Sequence, residues 1–192
     1  MTIWFTSDSH FFHKNILSFE NRPFDSVEEM NEGLVKAWNN VVNKTDQVYH
    51  LGDFVFHKYD NWVEILSQLN GEIVLCRGNH DDSKVVERLV NEGYFKEYHE
   101  VGTYIKHNKH QMWLTHYPMD IGNRSRKWSI SGHIHSTPNK MLNQVNIGCD
   151  SQLVKLLNKP FGQPISLEEL TDYLDLINPQ VEELFKKERG IE

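Results

Sequence analysis

The chain has 192 residues, a length suited to one domain with a core large enough to need no disulfide staple. Apolar residues make up 39% and charged residues 24%, which excludes a disordered chain and predicts a soluble globular one. Twenty basic against 27 acidic residues give a net charge of −7, which excludes the basic face that sequence-independent duplex binding needs. Met1 runs directly into a strand-like segment and no apolar run approaches the roughly 20 residues that span a bilayer, so neither a secretory signal nor a membrane partner is expected. Cys76 and Cys149 form no CxxC pattern and are expected as free thiols in the cytoplasm.

The first strand is predicted over Thr2–Ser7 and leads into Asp8-Ser9-His10. Ser26-Val27-Glu28-Glu29 then reads as a capping box, with Ser26 as N-cap and Glu29 reaching back. It opens a helix whose apolar stripe is Met30, Leu34, Ala37, Trp38 and Val41. A strand over Gln47–Leu51 leads into Gly52-Asp53. Asp60 is expected to cap a helix burying Trp62, Ile65, Leu66 and Leu69 before Gly71. A strand over Glu72–Arg77 leads into Gly78-Asn79-His80-Asp81, and Ser83 is expected to cap the helix of Val85, Val86, Leu89 and Val90. Strands follow at Tyr104–His107, Gln111–Thr115, Lys127–Ser131 and Gln144–Ile147, with a hairpin tip at Asn108-Lys109. Thr115-His116 and Gly132-His133-Ile134-His135 sit at two of their ends. Ser166-Leu167-Glu168-Glu169 is a second capping box, whose helix should stop at Asn178-Pro179 before a last helix over Val181–Glu188 and Gly190. The alternation of short and long apolar periods gives an α/β fold class.

The polar clusters fall where ligands bind in α/β sheets, beyond the carboxyl ends of strands. The chain carries 11 histidines, and histidine is the commonest transition-metal ligand. Asp8 and His10 are two apart, so on extended backbone a carboxylate and an imidazole point the same way, and His133 and His135 repeat the spacing. Gly52 and Gly78 allow sharp backbone bends beside a ligand. Asp53 can bridge two cations through its two oxygens, and Asn79 offers a neutral carbonyl. Such mixed oxygen and nitrogen donors suit Mn, Fe, Co, Ni or Zn better than Ca or Mg.

Taken in order, Asp8-Ser9-His10, Gly52-Asp53, Gly78-Asn79-His80-Asp81, Thr115-His116 and Gly132-His133-Ile134-His135 resemble the five blocks of the calcineurin-like metallophosphoesterases. Phe12-His13-Lys14-Asn15-Ile16, Arg22-Pro23-Phe24 and Asn146-Ile147-Gly148-Cys149-Asp150 look like a small bacterial or phage branch, and the resemblance extends to about Asp150. It implies two packed β-sheets flanked by helices in four layers, with a dimetal site at the strand-end loops. From length and the capping signals, a single domain over residues 1–192 is expected, with C-terminal helices at about 166–189, in a bacterial or phage-infected cytoplasm. Asp8, His10 and His135 would hold one metal, Asn79, His116 and His133 the other, and Asp53 would bridge them. His80 would act beside the metals without binding them. Mn is the expected metal, with Fe, Ni, Co and Zn as alternatives, and a metal-activated hydroxide would attack the phosphorus. Asp81 is open between orienting His80 and capping the next helix.

The sequence departs from the protein-phosphatase branch, which carries Gly-Asp-x-x-Asp-Arg-Gly and Gly-Asn-His-Glu. Here Phe54-Val55-Phe56-His57-Lys58 follows Asp53, so the arginine that grips a phosphomonoester there is missing. A small phosphodiester or nucleotide is therefore the expected substrate. Phosphomonoesters, short oligonucleotides and a non-catalytic scaffold of the same fold are the alternatives. His13, Asn15, Arg22, Arg77 and Tyr117 are the expected substrate contacts, and Arg124, Arg126 and Lys127 form a basic loop open between a substrate-steering and a solvated role. Among the other histidines, His50 is expected to be packed and hydrogen-bonded, and His107 and His110 to lie on the surface. Oligomeric state is left open.

Overall fold

The computed structural model describes residues 1–56 and 58–191; His57 and Glu192 lie outside the described residues. The first half contains β1 (Ile3–Thr6), α1 (Ile16–Phe19), α2 (Val27–Asn39), β2 (Gln47–His50), α3 (Tyr59–Leu66), β3 (Glu72–Cys76), α4 (Ser83–Asn91) and β4 (Glu97–His99). The second contains β5 (Gly102–His107), β6 (His110–Thr115), β7 (Lys127–Ser131), β8 (Gln144–Asn146), α5 (Gln152–Leu156), β9 (Ile165–Ser166) and α6 (Leu167–Arg189).

They form two mixed sheets flanked by helices. One has the order β4-β3-β2-β1-β9, with β1 to β4 parallel and β9 antiparallel; the other has the order β5-β6-β7-β8, with only the β5–β6 pair antiparallel. Side chains alternate across each strand, so the first sheet serves two cores. Val48, Ile73 and Leu75 pack with Met30, Leu34, Trp38, Trp62, Val86 and Leu89 of α2, α3 and α4. Phe5, Leu51 and Cys76 join Met112, Leu114, Trp128, Ile130 and Val145 of the second sheet, with Leu170, Leu174 and Val181 of α6. Trp38 is buried and its indole N–H donates to the Asn70 carbonyl at 2.9 Å. Its truncation to Ala is expected to cost about 3–5 kcal/mol.

Several helix ends differ from the sequence reading. Ser26 accepts from Glu29 N–H, but the Glu29 carboxylate reaches Asp25 N–H rather than the cap residue. Helix α3 starts one residue before Asp60, with Lys58 at the N-cap, and α4 is capped by Asp82, whose carboxylate accepts from Lys84 and Val85 N–H. The Ser166–Glu169 capping box is present in full, and Gly190 ends α6 in the left-handed conformation. The two C-terminal helices expected around Pro179 are one continuous α6. Proline inside a helix costs about 3 kcal/mol. Here Leu170 and Leu174 before it and Val181 after it are all buried, and the Asn178 side chain accepts from Arg126 N–H at 2.7 Å. Short strands β4 and β9 and short helices α1 and α5 escaped the sequence reading because each is too brief to show a period.

Candidate metal centre

Because β1, β2 and β3 run parallel, and β6, β7 and β8 likewise, each set delivers its carboxyl ends to one edge. The two edges meet where Ser7 bridges Gly148 in parallel register. Asp8 and His10 follow β1, Asp53 follows β2, Asn79 and His80 follow β3, His116 follows β6, and His133 and His135 follow β7. All seven residues expected as metal ligands come together there.

Their convergence does not arise from extended backbone. Asp8 (φ 56°), His10 (φ 51°), Asp53 (φ 53°), His133 (φ 69°) and His135 (φ 47°) all lie in the left-handed region. Asp and His tolerate this conformation better than most residues, and the remaining strain, of order 1–3 kcal/mol each, collects at the site. Hydrogen bonds hold these loops: Asp8 N–H donates to Gly52 O, His10 N–H to Asp53 O, and His133 N–H to both Asp8 oxygens, each at 3.0 Å. Gly78 serves by size rather than by bending, since a Cβ there would meet Asp53 N and Oδ1 at 2.3 Å. A Cβ on Gly132 would meet Ser7 Oγ at 2.0 Å and Asp8 Oδ2 at 2.3 Å.

The donor atoms form two clusters, Asp8 with His10 and His135, and Asp53 with His116 and His133, each with its ligand atoms within 4.8 Å of one another. Asp53 Oδ2 joins the clusters: it stands 3.5 Å from His10 Nε2 and 3.5 Å from His116 Nε2. Three observations fit cations in this space. His10 Nε2 is buried and has no hydrogen-bond partner. His116 Nδ1 donates to the Leu51 carbonyl at 2.8 Å, which turns Nε2 toward Asn79 Oδ1, 2.9 Å away, and Asp53 Oδ2, 3.5 Å away, so nitrogen and oxygen ligand atoms converge on one point. Burial pushes the Asp8 carboxyl up to about 6, against the pull of His116 and His135, which is the behaviour of a buried carboxylate short of positive charge.

The surrounding charges follow the same logic. Burial, then Arg22, hold His10 well below its usual range, and burial with His116 lowers His133. His135 is also penalised by burial, but its bond to Asp150 and the Asp8 charge outweigh this and raise it. His10 and His133 are thus disposed to be neutral donors, and His135 would become one once a cation displaced its extra proton.

Behind the donors lies a layer that the sequence reading largely missed. Asp150 Oδ2 accepts from His135 Nδ1 at 3.0 Å. The same carboxylate accepts from Arg22 Nε at 3.0 Å and Nη2 at 2.7 Å, while Arg22 also donates to the carbonyls of Asp8 and Ser9. Arg22 is buried, so it braces the first loop and cannot contact substrate as expected. Asp81 neither orients His80 nor caps a helix: buried, it accepts from Asp53, Phe54 and Gly78 N–H at 2.8–2.9 Å and ties the second and third loops together. His50 is packed and bonded as expected. Its Nδ1 accepts from Gly52 N–H, which places the proton on Nε2 for Ser9 Oγ at 2.9 Å.

Of the remaining expected substrate contacts, Arg77 is held by Glu100 and the Asp81 carbonyl. Asn15 is exposed at the N-cap of α1. His13 lies beside the donors, its Nδ1 3.3 Å from His10 Nδ1 and its ring stacked on Phe56 at 4.2 Å. Tyr117 is exposed, with its ring against His133 at 4.5 Å and His116 at 5.1 Å. The His80 ring is exposed 5.5 Å from that of His10, and the His80 backbone N–H donates to Asp53 Oδ1 at 2.8 Å, which leaves Oδ2 to face the two imidazoles. The basic loop is turned to α6, with Arg124 over Phe185 and Arg126 paired with Asp175. His107 is half-buried, and His110, expected at the surface, is fully buried between Trp128 Nε1 and Asp175.

Comparison with known proteins adds the following. The model of the calcineurin-like phosphoesterase superfamily domain matches residues 1–152. An uncharacterized protein of Methanocaldococcus jannaschii is 40% identical over 137 residues, covering 70% of this chain and 69% of that protein. The Gene 66 protein of Mycobacterium phage L5 is 27% identical over 209 residues, covering 92% and 96%. Among solved structures, a protein of unknown function from Aquifex aeolicus superimposes with a TM-score of 0.67 at 26% identity, covering 90% of this chain and 98% of that one.

Proposed function

The chain belongs to the calcineurin-like phosphoesterase superfamily, and from that premise we propose a dinuclear phosphodiesterase acting on a small phosphodiester or nucleotide. Asp8, His10 and His135 would hold one cation and Asn79, His116 and His133 the other. The observation that carries the dinuclear reading is Asp53 Oδ2, 3.5 Å from an imidazole nitrogen of each cluster. When bound, two divalent ions, with Mn as the proposed species, would supply charge for the phosphoryl oxygens and acidify water.

The protein's own groups set the geometry. Asp53 uses one oxygen to receive His80 N–H and presents the other to both clusters. Asp150 and the Leu51 carbonyl fix the tautomers of His135 and His116 by accepting their Nδ1 protons. His80, exposed beside His10, is the group we assign to protonate the leaving oxygen.

Two features support a diester over a monoester. Arg22 and Arg77, the arginines the sequence offers for gripping a phosphate dianion, are engaged by Asp150 and Glu100. A diester also has two organic arms, and aromatic side chains flank the donors on two sides, His13 with Phe56 beside His10, and Tyr117 beside His133. The buried free thiols Cys76 and Cys149 support a reducing compartment such as the cytoplasm.

Protein loaded with Mn is expected to hydrolyse bis-p-nitrophenyl phosphate faster than p-nitrophenyl phosphate. Absence of diester turnover with each of Mn, Ni, Co, Fe and Zn would refute the proposal.

A further inference from the structure

A cleft of about 560 Å³ opens beside His133. Sites for small molecules span about 300–1,000 Å³, so the volume suits one compact ligand group next to the metal centre. Its apolar walls are Tyr117, Ile134, Pro138 and Met141, and it also carries the charged side chains of Asp120 and Lys140.

Both sides of the cleft are braced before any ligand arrives. On one side, the Tyr117 carbonyl accepts from Thr115 Oγ1 at 2.6 Å, and its ring stands edge-on to His116 and His133 at interplanar angles of 73° and 63°. Yet 53% of Tyr117 is exposed, so the ring is held in place while offering surface. On the other side, the buried Gln144 side chain accepts from Lys140 and Met141 N–H, each at 3.1 Å, and donates to the Met119 carbonyl at 3.1 Å. One amide thus joins the loop of residues 138–141 to the segment after Tyr117. Prebuilt walls of this kind reduce the ordering cost of binding.

The chemistry of the lining selects among occupants. An acyl chain would make no use of the exposed charges of Asp120 and Lys140, and a bare sugar would leave the tyrosine face and aliphatic walls without contact. A flat heteroaromatic ring with hydrogen-bonding edges satisfies both kinds of surface, since bases stack on aromatic side chains whatever their sequence. We propose that this cleft receives the nucleobase of a nucleoside esterified to the phosphate, stacked on Tyr117 with its polar edge toward Asp120 and Lys140. The inference rests on the phosphodiesterase reading above and names one arm of its substrate.

The test compares adenosine 5′-monophosphate with ribose 5-phosphate, which lacks the base. Both serve as inhibitors of bis-p-nitrophenyl phosphate turnover by the Mn-loaded protein, with calorimetric binding as a second readout. The nucleotide is expected to bind about tenfold tighter, the scale of one stacked base. Tyr117→Ala should remove most of that difference and Tyr117→Phe should keep it. Met141→Trp, which narrows the cleft, should weaken the nucleotide alone. Equal binding of the two ligands, with diester turnover intact, would overturn the cleft assignment and leave the phosphodiesterase reading standing. A preference that survives both Tyr117→Ala and Met141→Trp would also overturn it, because the base would then bind elsewhere. Loss of all diester turnover in wild type would refute the underlying reading, and the calorimetric comparison would still decide the cleft.

Discussion

Asp150 Oδ2 stands 3.0 Å from His135 Nδ1, so a carboxylate just past β8 orients a donor of the metal centre. The same carboxylate neutralises Arg22, whose side chain is otherwise surrounded by backbone and core. Asp150→Asn is expected to lower metal affinity by about 10–100-fold, the usual cost of losing such an orienting partner. It should also destabilise the fold by about 3–5 kcal/mol, because it leaves the Arg22 charge buried without its counter-charge. Metal titration and urea unfolding separate the two effects.

Asp53→Asn removes the charge shared by both clusters. We expect the bound metal to fall from two ions per chain toward one, and diester turnover to fall by at least about a hundredfold, since the shared charge contributes several kcal/mol to the centre. Metal content by elemental analysis, alongside the rate, checks this. Retention of two ions with near-wild-type turnover would contradict the bridging role.

Gly132→Ala places a Cβ 2.3 Å from Asp8 Oδ2 and 2.0 Å from Ser7 Oγ. Both neighbours are buried, so the strain cannot be relieved into solvent. The variant is expected to lose about 1–3 kcal/mol of stability and, with Asp8 displaced, much of its metal affinity. A variant that folds with wild-type stability and binds metal normally would show that the loop after β7 yields more easily than its packing implies.

His110 supplies a pH dependence remote from the metals. Its Nδ1 accepts from Trp128 Nε1–H at 2.8 Å, and burial lowers its proton affinity from the usual 6.5 despite Asp175 nearby. The unfolded chain therefore takes up this proton at higher pH than the folded chain. Its contribution to stability is present above about 6.5 and is lost as pH falls through the lower folded value. Fully buried His50 is lowered for the same main reason and adds in the same direction. In urea unfolding, the stability advantage of wild type over His110→Gln should be larger at about pH 7.5 than at about pH 5.5, and the His110 ring resonances should titrate below 6.5.

The strand-end clusters were legible because ligands, glycines and apolar runs fall in a fixed order along the chain. A spacing of two residues predicts convergence of Asp8 and His10 on extended backbone, whereas their side chains converge through left-handed backbone that such spacing does not reveal. Arg22 read as a phosphate contact because its partner Asp150 lies 128 residues away and nothing local announces the pair. Asp81 was ambiguous for a similar reason, as its partners Asp53 and Phe54 belong to another loop. Pro179 read as a helix stop from propensity alone, whereas buried side chains on either side carry α6 past it. Local chemistry could be read from the sequence, and long-range pairing could not.

The bond from His133 N–H to the Asp8 carboxylate joins residues 125 positions apart. As the chain leaves the ribosome, Asp8 and His10 emerge long before the segment that completes their cluster, and His135 is oriented only after Asp150 has followed. Neither cluster can close around an ion on a nascent fragment that stops short of β7, since each draws a histidine from the loop after that strand. Metal loading would therefore come late in biosynthesis, and an ion held at full affinity would report that both sheets have already docked.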